Sequence, residues 1–181
     1  MIHIKAPWVL PLQNYHASFF GFSVMNDELF PRLMDRESVV QAFPLVTNLL
    51  PQITLKDWAR FACDHLASGW RTLPKGMMTI RNRDDYILGL FAFDVRYDLK
   101  EDRALWVDNV IVSTMPGREI ILKATIGAID ALAESDRCGI IRVGFDHDIE
   151  RADGDRLWVR SALEGAGYLF VGAQALKRLR K

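Results

Sequence analysis

Cysteine is scarce in this sequence: two in 181 residues, Cys63 and Cys138. Neither stands in a Cys-x-x-Cys pair or at Cys/His spacing, which argues against a disulfide scaffold and a structural zinc site and for a reducing compartment. Net charge is missing too, since 23 Lys and Arg balance 23 Asp and Glu. The global basic excess that nucleic acid or an anionic membrane calls for is therefore absent. No apolar run approaches the roughly 18 residues of a membrane span. Pro7 and Pro11 interrupt Trp8-Val9-Leu10 before it reaches signal-peptide length, so the cytoplasm is the expected compartment. Gly/Ser linkers, repeats and low-complexity tracts are lacking, and the length suits one domain that needs no staple.

Half of the residues are hydrophobic and a quarter charged, the balance of a compact domain. The zero net charge hides a gradient. Residues 76–136 carry 7 basic and 11 acidic side chains, whereas 137–181 carry 9 and 6. No imbalance marks a boundary, and residues 1–34 read as an N-terminal extension of the same unit, with one strand near Ser18–Met25.

From Asp35 the pattern turns helical. Asp35 is placed to cap a helix whose apolar positions Val39, Val40, Phe43, Val46, Leu49 and Leu50 run up to Pro51, with Pro44 expected to kink or restart it. Thr54 and Asp57 form a capping box for a second helix with Trp58, Phe61, Ala62, His65 and Leu66 on one face. Met77–Arg81 and Tyr86–Tyr97 flank a polar turn and read as a hairpin. The apolar stretch from Tyr86 to Phe93 implies a strand buried on both faces, with helices above and below the sheet. A strand over Ala104–Val112, a helix from Pro116-Gly117 to about Ser135, a strand over Ile140–Phe145, a helix from Arg156 to about Ala166 and a last strand over Tyr168–Ala173 follow. Lys177-Arg178-Leu179-Arg180-Lys181 reads as a basic, solvated tail. The fold class is α/β, a mixed, mainly antiparallel sheet covered by helices on both faces.

The element order, and above all Leu105-Trp106-Val107-Asp108-Asn109-Val110-Ile111-Val112 followed by an Ala/Ile/Leu-rich helix and Arg137-Cys138-Gly139, resembles the GNAT superfamily of acyl-CoA-dependent N-acetyltransferases. Gly167-Tyr168, where that family usually has Gly-Phe, fits as well. The likeness runs from about Glu37 to the C-terminus, so 35–181 is the GNAT-like domain. It implies a bulged fourth strand that splays from the fifth, with the pantetheine of acetyl-CoA in the gap. It also implies a pyrophosphate seat at the N-terminus of the next helix, where free N–H groups and the helix dipole attract anions.

In that family the loop reads Arg or Gln, two residues, Gly, one residue, Gly or Ala. Held in register, the Arg position falls on Gly117 and the glycine positions on Ile120 and Leu122. Sliding by one recovers Arg118 but puts Ile121 and Lys123 at the glycines, and Arg118 and Lys123 then offer direct charge to the anion. The resemblance assigns Val110, Ile111 and Val112 to the cofactor strand. It puts Leu163 where the family often has a Tyr that protonates the thiolate, and leaves Asp108, with His147 as another candidate, to accept the amine proton.

The same residues have plainer readings: Asp108 hydrogen-bonded to backbone, His147 a solvated loop residue between Asp146 and Asp148, His65 a satisfied core residue. The acid-rich loop Asp146–Asp155 fails EF-hand spacing, with Ile149 and Arg160 where carboxylates belong, and reads as a solvated loop that attracts a cationic amine. The expectation is acetyl transfer from acetyl-CoA to a primary amine, on a small molecule or a peptide, without metal, membrane or nucleic acid. The alternative is a GNAT-shaped binding or regulatory module without the acetyl-CoA site. A free sheet edge would support a homodimer.

Overall fold

The computed structural model describes residues 28–66, 74–144, 153–172 and 174–179. The strand expected near Ser18–Met25 and the candidate His147 lie outside them. The chain begins with β1 (Phe30–Leu33), followed by α1 (Arg36–Leu49) and α2 (Leu55–Leu66). Asp35 caps α1 by accepting the Ser38 N–H at 2.8 Å, and the helix runs unbroken through Pro44 rather than restarting there. Thr54 Oγ accepts the Asp57 N–H at 3.2 Å and donates to the Asp57 carboxylate at 2.5 Å, which is the capping box read from the sequence.

β2 (Lys75–Arg81), β3 (Ile87–Asp98) and β4 (Asp102–Val112) form an antiparallel meander. The turn between β2 and β3 is held by the Asn82 side chain, which accepts the N–H groups of Asp84 and Tyr86 at 3.1 and 2.9 Å. α3 (Arg118–Ser135) carries the chain back to β5 (Ile140–Gly144), which lies parallel to β4. After α4 (Asp153–Gly165) come β6 (Leu169–Val171) and β7 (Gln174–Arg178). The seven strands lie in the order β1-β2-β3-β4-β5-β7-β6.

Two apolar layers sandwich this sheet. Phe91, Phe93, Val95, Leu105, Val107, Ile141 and Val143 pack under α3 and α4, and Met77, Leu90, Ala92 and Ile111 pack under α1 and α2. The unbroken apolar sequence of β3 thus feeds both layers alternately.

The C-terminal end differs from the sequence expectation. The last strand is a hairpin about Gly172, and Lys177 and Arg178 belong to β7 in place of a free tail. Their charges are met by Asp130, at 2.6 Å, and Glu101, at 3.3 Å. Backbone pairing with β5 and burial of Ala175 outweigh the local polarity. Among the described residues, no helix is long and apolar enough to cross a membrane.

Candidate active site at the sheet fork

Among the described residues, β4 and β5 pair from Ala104–Ile140 to Val107–Val143. β4 then runs on to Val112 while the described part of β5 ends at Gly144, so among these residues the β4–β5 ladder ends in a fork at Asp108 and Gly144. The opening coincides with a bulge. Asp108 pairs with Ala92 and Ile111 with Leu90, so that Asn109 and Val110 together oppose the single residue Phe91. Asn109 takes a left-handed backbone, φ 53°, which Asn tolerates better than most residues. The extra residue reverses the alternation. Leu105 and Val107 face α3, whereas Ile111 faces α1 and Val112 returns to the α3 side.

Asp108 shares its face with Ala92, is exposed, and leans across β5. A Cβ built on Gly144 would lie 2.5 Å from its Oδ1. Only a residue without a side chain leaves room for the carboxylate there. The backbone hydrogen bond considered for Asp108 is not among its described contacts.

The loop after β4 ends at Gly117, φ 89°, which precedes α3 without a side-chain cap. The Arg118 N–H donates to the Met115 carbonyl at 3.1 Å and the Ile120 N–H to that of Gly117 at 2.9 Å, so two of the first amides are spent locally. Ile120 is half exposed, while Ile121 and Leu122 are turned into the core and Lys123 is exposed. The Arg118 guanidinium lies 4.7 Å over the ring of Trp158 on α4, a cation–π contact that joins the start of α3 to α4. On the other side of the fork the Asn48 side chain at the end of α1 donates to Thr114 Oγ at 3.2 Å. Val110, Ile111 and Val112 thus follow Asp108 on β4, and Gly117, Arg118, Ile120 and Lys123 lie in the loop end and first turns of α3 that come next in the chain. Sequence reasoning passed over Asn109, Gly144 and Trp158, and the only local hint was an Asn inside a strand.

The remaining polar groups serve the frame. Leu163, at the position of the family's Tyr, is buried in the core. Tyr168, 1% exposed, donates to Asp130 at 2.8 Å, and Lys177 donates to the other oxygen of that carboxylate. Burial and the Asp130 charge push the phenol far above its ordinary pKa. Burial also pushes the Cys138 thiol up to about 11, which keeps it protonated. His65, half-buried rather than in the core, contacts the Phe61 carbonyl at 3.0 Å and meets the Phe61 ring in a tilted arrangement. A shallow depression lined by Tyr97, Asp98, Leu99, Lys100 and Asp102 lies at the β3–β4 turn, the opposite end of these strands from the fork. Among the described residues, no three His, Cys, Asp or Glu are grouped to hold a metal.

A seven-stranded mixed sheet, forked between its parallel strands and flanked by two helix layers, is the architecture of the N-acetyltransferases. Solved structures of that class superpose on it. An aminoglycoside N-acetyltransferase in complex with CoA matches with TM-score 0.61 at 12% identity, over 88% of this chain and 99% of the other. A ribosomal-protein-alanine N-acetyltransferase from Brucella melitensis matches with 0.58 at 18%, over 77% and 90%. Spermidine N-acetyltransferase from Vibrio cholerae, in complex with CoA and spermine, matches with 0.56 at 12%, over 83% and 92%. No protein-family model matches the chain, and no curated protein matches it in sequence. The chain therefore has the GNAT fold, at 12–18% identity to these structures.

Proposed function

We infer that the chain transfers an acetyl group from acetyl-CoA to a primary amine, on a small molecule or a peptide. The observation that carries this reading is the fork, where the described β4–β5 ladder ends beside an exposed carboxylate and β4 runs on toward α3. When bound, acetyl-CoA supplies an activated acyl thioester. The residues of the fork fit its slender arm: β4 from Val110 to Val112 offers backbone N–H groups for the carbonyl oxygen, where charge develops on attack. Asp108, exposed at the mouth, takes the proton of the attacking amine, and His147 is the second candidate for that role. Gly117, Arg118, Ile120 and Lys123 mark the pyrophosphate end, and Leu122, buried in the core, is left out of it. With two amides spent on Met115 and Gly117, attraction there falls mainly to the charges of Arg118 and Lys123. The superposed aminoglycoside and spermidine N-acetyltransferases support the acceptor class.

The paucity of cysteine supports a cytoplasmic enzyme. Leu169 and Val171, both exposed on the edge strand β6, support a homodimer.

A second reading, a binding or regulatory module without catalysis, draws on the same end of the molecule: Leu163 buried where an acid would stand, and amides already paired. Calorimetric titration with acetyl-CoA separates the two. Saturable binding is expected, and no heat at millimolar cofactor overturns the transferase. Once an acceptor is found, Asp108→Asn should lower kcat by about 10²–10⁴-fold, the range for a positioned base. An unchanged kcat removes Asp108 from the role.

A further inference from the structure

We propose that Asn109 is a positioning residue, whose left-handed backbone sets the Asp108 carboxylate over Gly144 at the mouth of the fork. Among the described residues, the other non-glycine residues with positive φ, Asp85, Asp102 and Arg137, sit in turns or at element ends, whereas Asn109 lies inside a strand. The conformation therefore has a tertiary cause.

Three observations converge on it. The bulge begins at the residue after Asp108, so the last regular pair of β4 on that side of the bulge is the one that carries the carboxylate. The change of face beyond it buries Ile111 under α1, and this burial requires one extra residue between Val107 and Ile111, because a strand without the insertion would turn residue 111 to the α3 side. Across the fork, Gly144 presents bare backbone to Asp108 Oδ1. Asn or Gly at position 109 accepts the left-handed turn. A β-branched residue resists it and favours extended backbone, which would slide the bulge along β4 and carry Asp108 off β5. Asn109 would thus act through Asp108, touching no reactant itself.

The inference rests on the transferase reading only for its kinetic consequence, so the decisive measurement needs no ligand. On acidification, the amide resonance of Gly144 should follow the titration of the carboxylate that lies over it, and Asp108→Asn should abolish that response. Asn109→Gly should keep it in full. Asn109→Val should cut its amplitude several-fold, with Asn109→Ala intermediate and available if the valine variant folds poorly. A full response in the Val and Ala variants, or one that survives Asp108→Asn, overturns the proposal. With an acceptor in hand, Asn109→Val should lower kcat by about 10–100-fold at little change in the KM for acetyl-CoA, since misplacing a reacting group by about 1 Å costs that order, and Asn109→Gly should restore it. If acetyl-CoA does not bind, the transferase reading fails while the Gly144 response still decides the role of Asn109.

Discussion

Gly139 sits where β5 starts, and replacing it with alanine tests how closely the β3–β4 turn is packed on that strand. The added Cβ would lie 2.8 Å from the Glu101 carbonyl oxygen, 3.0 Å from Glu101 Cβ and 3.2 Å from its carboxylate. Ordinary contact begins at 3.4 Å, so turn and strand must part by about 0.6 Å, the difference of the two distances. The obstacle is backbone, and it is held. The Glu101 carbonyl accepts the Arg103 N–H at 2.8 Å, and Gly139 itself donates to the Arg103 carbonyl at 2.8 Å and accepts from Leu179 at 3.0 Å. Overpacking of this kind costs about 1–3 kcal/mol, offset by about 0.4–1 kcal/mol from the lower entropy of the unfolded alanine chain. A net loss of about 1–2 kcal/mol lowers Tm by about 2–8 °C at this chain length. Gly127→Ala is the matched control: it lies within α3 with nothing inside 4 Å of the new methyl, and should gain about 0.5–1 kcal/mol. Scanning calorimetry of both variants should therefore show shifts of opposite sign. A Gly139→Ala protein as stable as the parent would refute the packing argument.

Two further substitutions probe the frame. Asp136 ends α3 with one carboxylate oxygen buried and without a partner among the described residues, and burial raises its pKa, against a smaller opposing pull from Arg103. A raised native pKa contributes stability below the ordinary value of 3.8 that is lost as pH rises through the native value. Asp136→Asn should therefore raise Tm at pH 7, by the equivalent of about 0.3–1 kcal/mol if only the helix-end charge is counted, and raise it less or not at all near pH 3. A gain that is equal at both pH values contradicts this. Tyr168→Phe leaves the buried ring in place and removes its bond to Asp130, which keeps Lys177. Urea unfolding should show a loss of about 1–2 kcal/mol, and no change in midpoint would mean that water replaces the phenol fully.

Much of this architecture is legible along the chain because the signals are local. Asp35 and Thr54 cap the helices they announce, Asn82 makes the turn between β2 and β3, and the apolar stretch of β3 demands cover on two sides. The hairpin at the C-terminus is not legible. Lys177 and Arg178 look like a solvated end until Asp130, 47 residues away in sequence, and Glu101 meet their charges. The residues of β4 can be assigned to a strand from composition. Their faces cannot, because nearly all of them are apolar and the alternation carries no mark of the residue that is out of step.

The sequence by itself determined the kind and order of the elements from α1 to α4 and the two-layered sheet, since periodicity, capping and turn chemistry act within a few residues. Tertiary structure alone decided that β4 leaves β5 after Val107, that Asn109 turns left-handed within it, and that Asp108 comes to rest over Gly144. These depend on register between strands distant in the chain, where burying Ile111 under α1 and Val107 under α3 at once requires one bulge in the three residues between them.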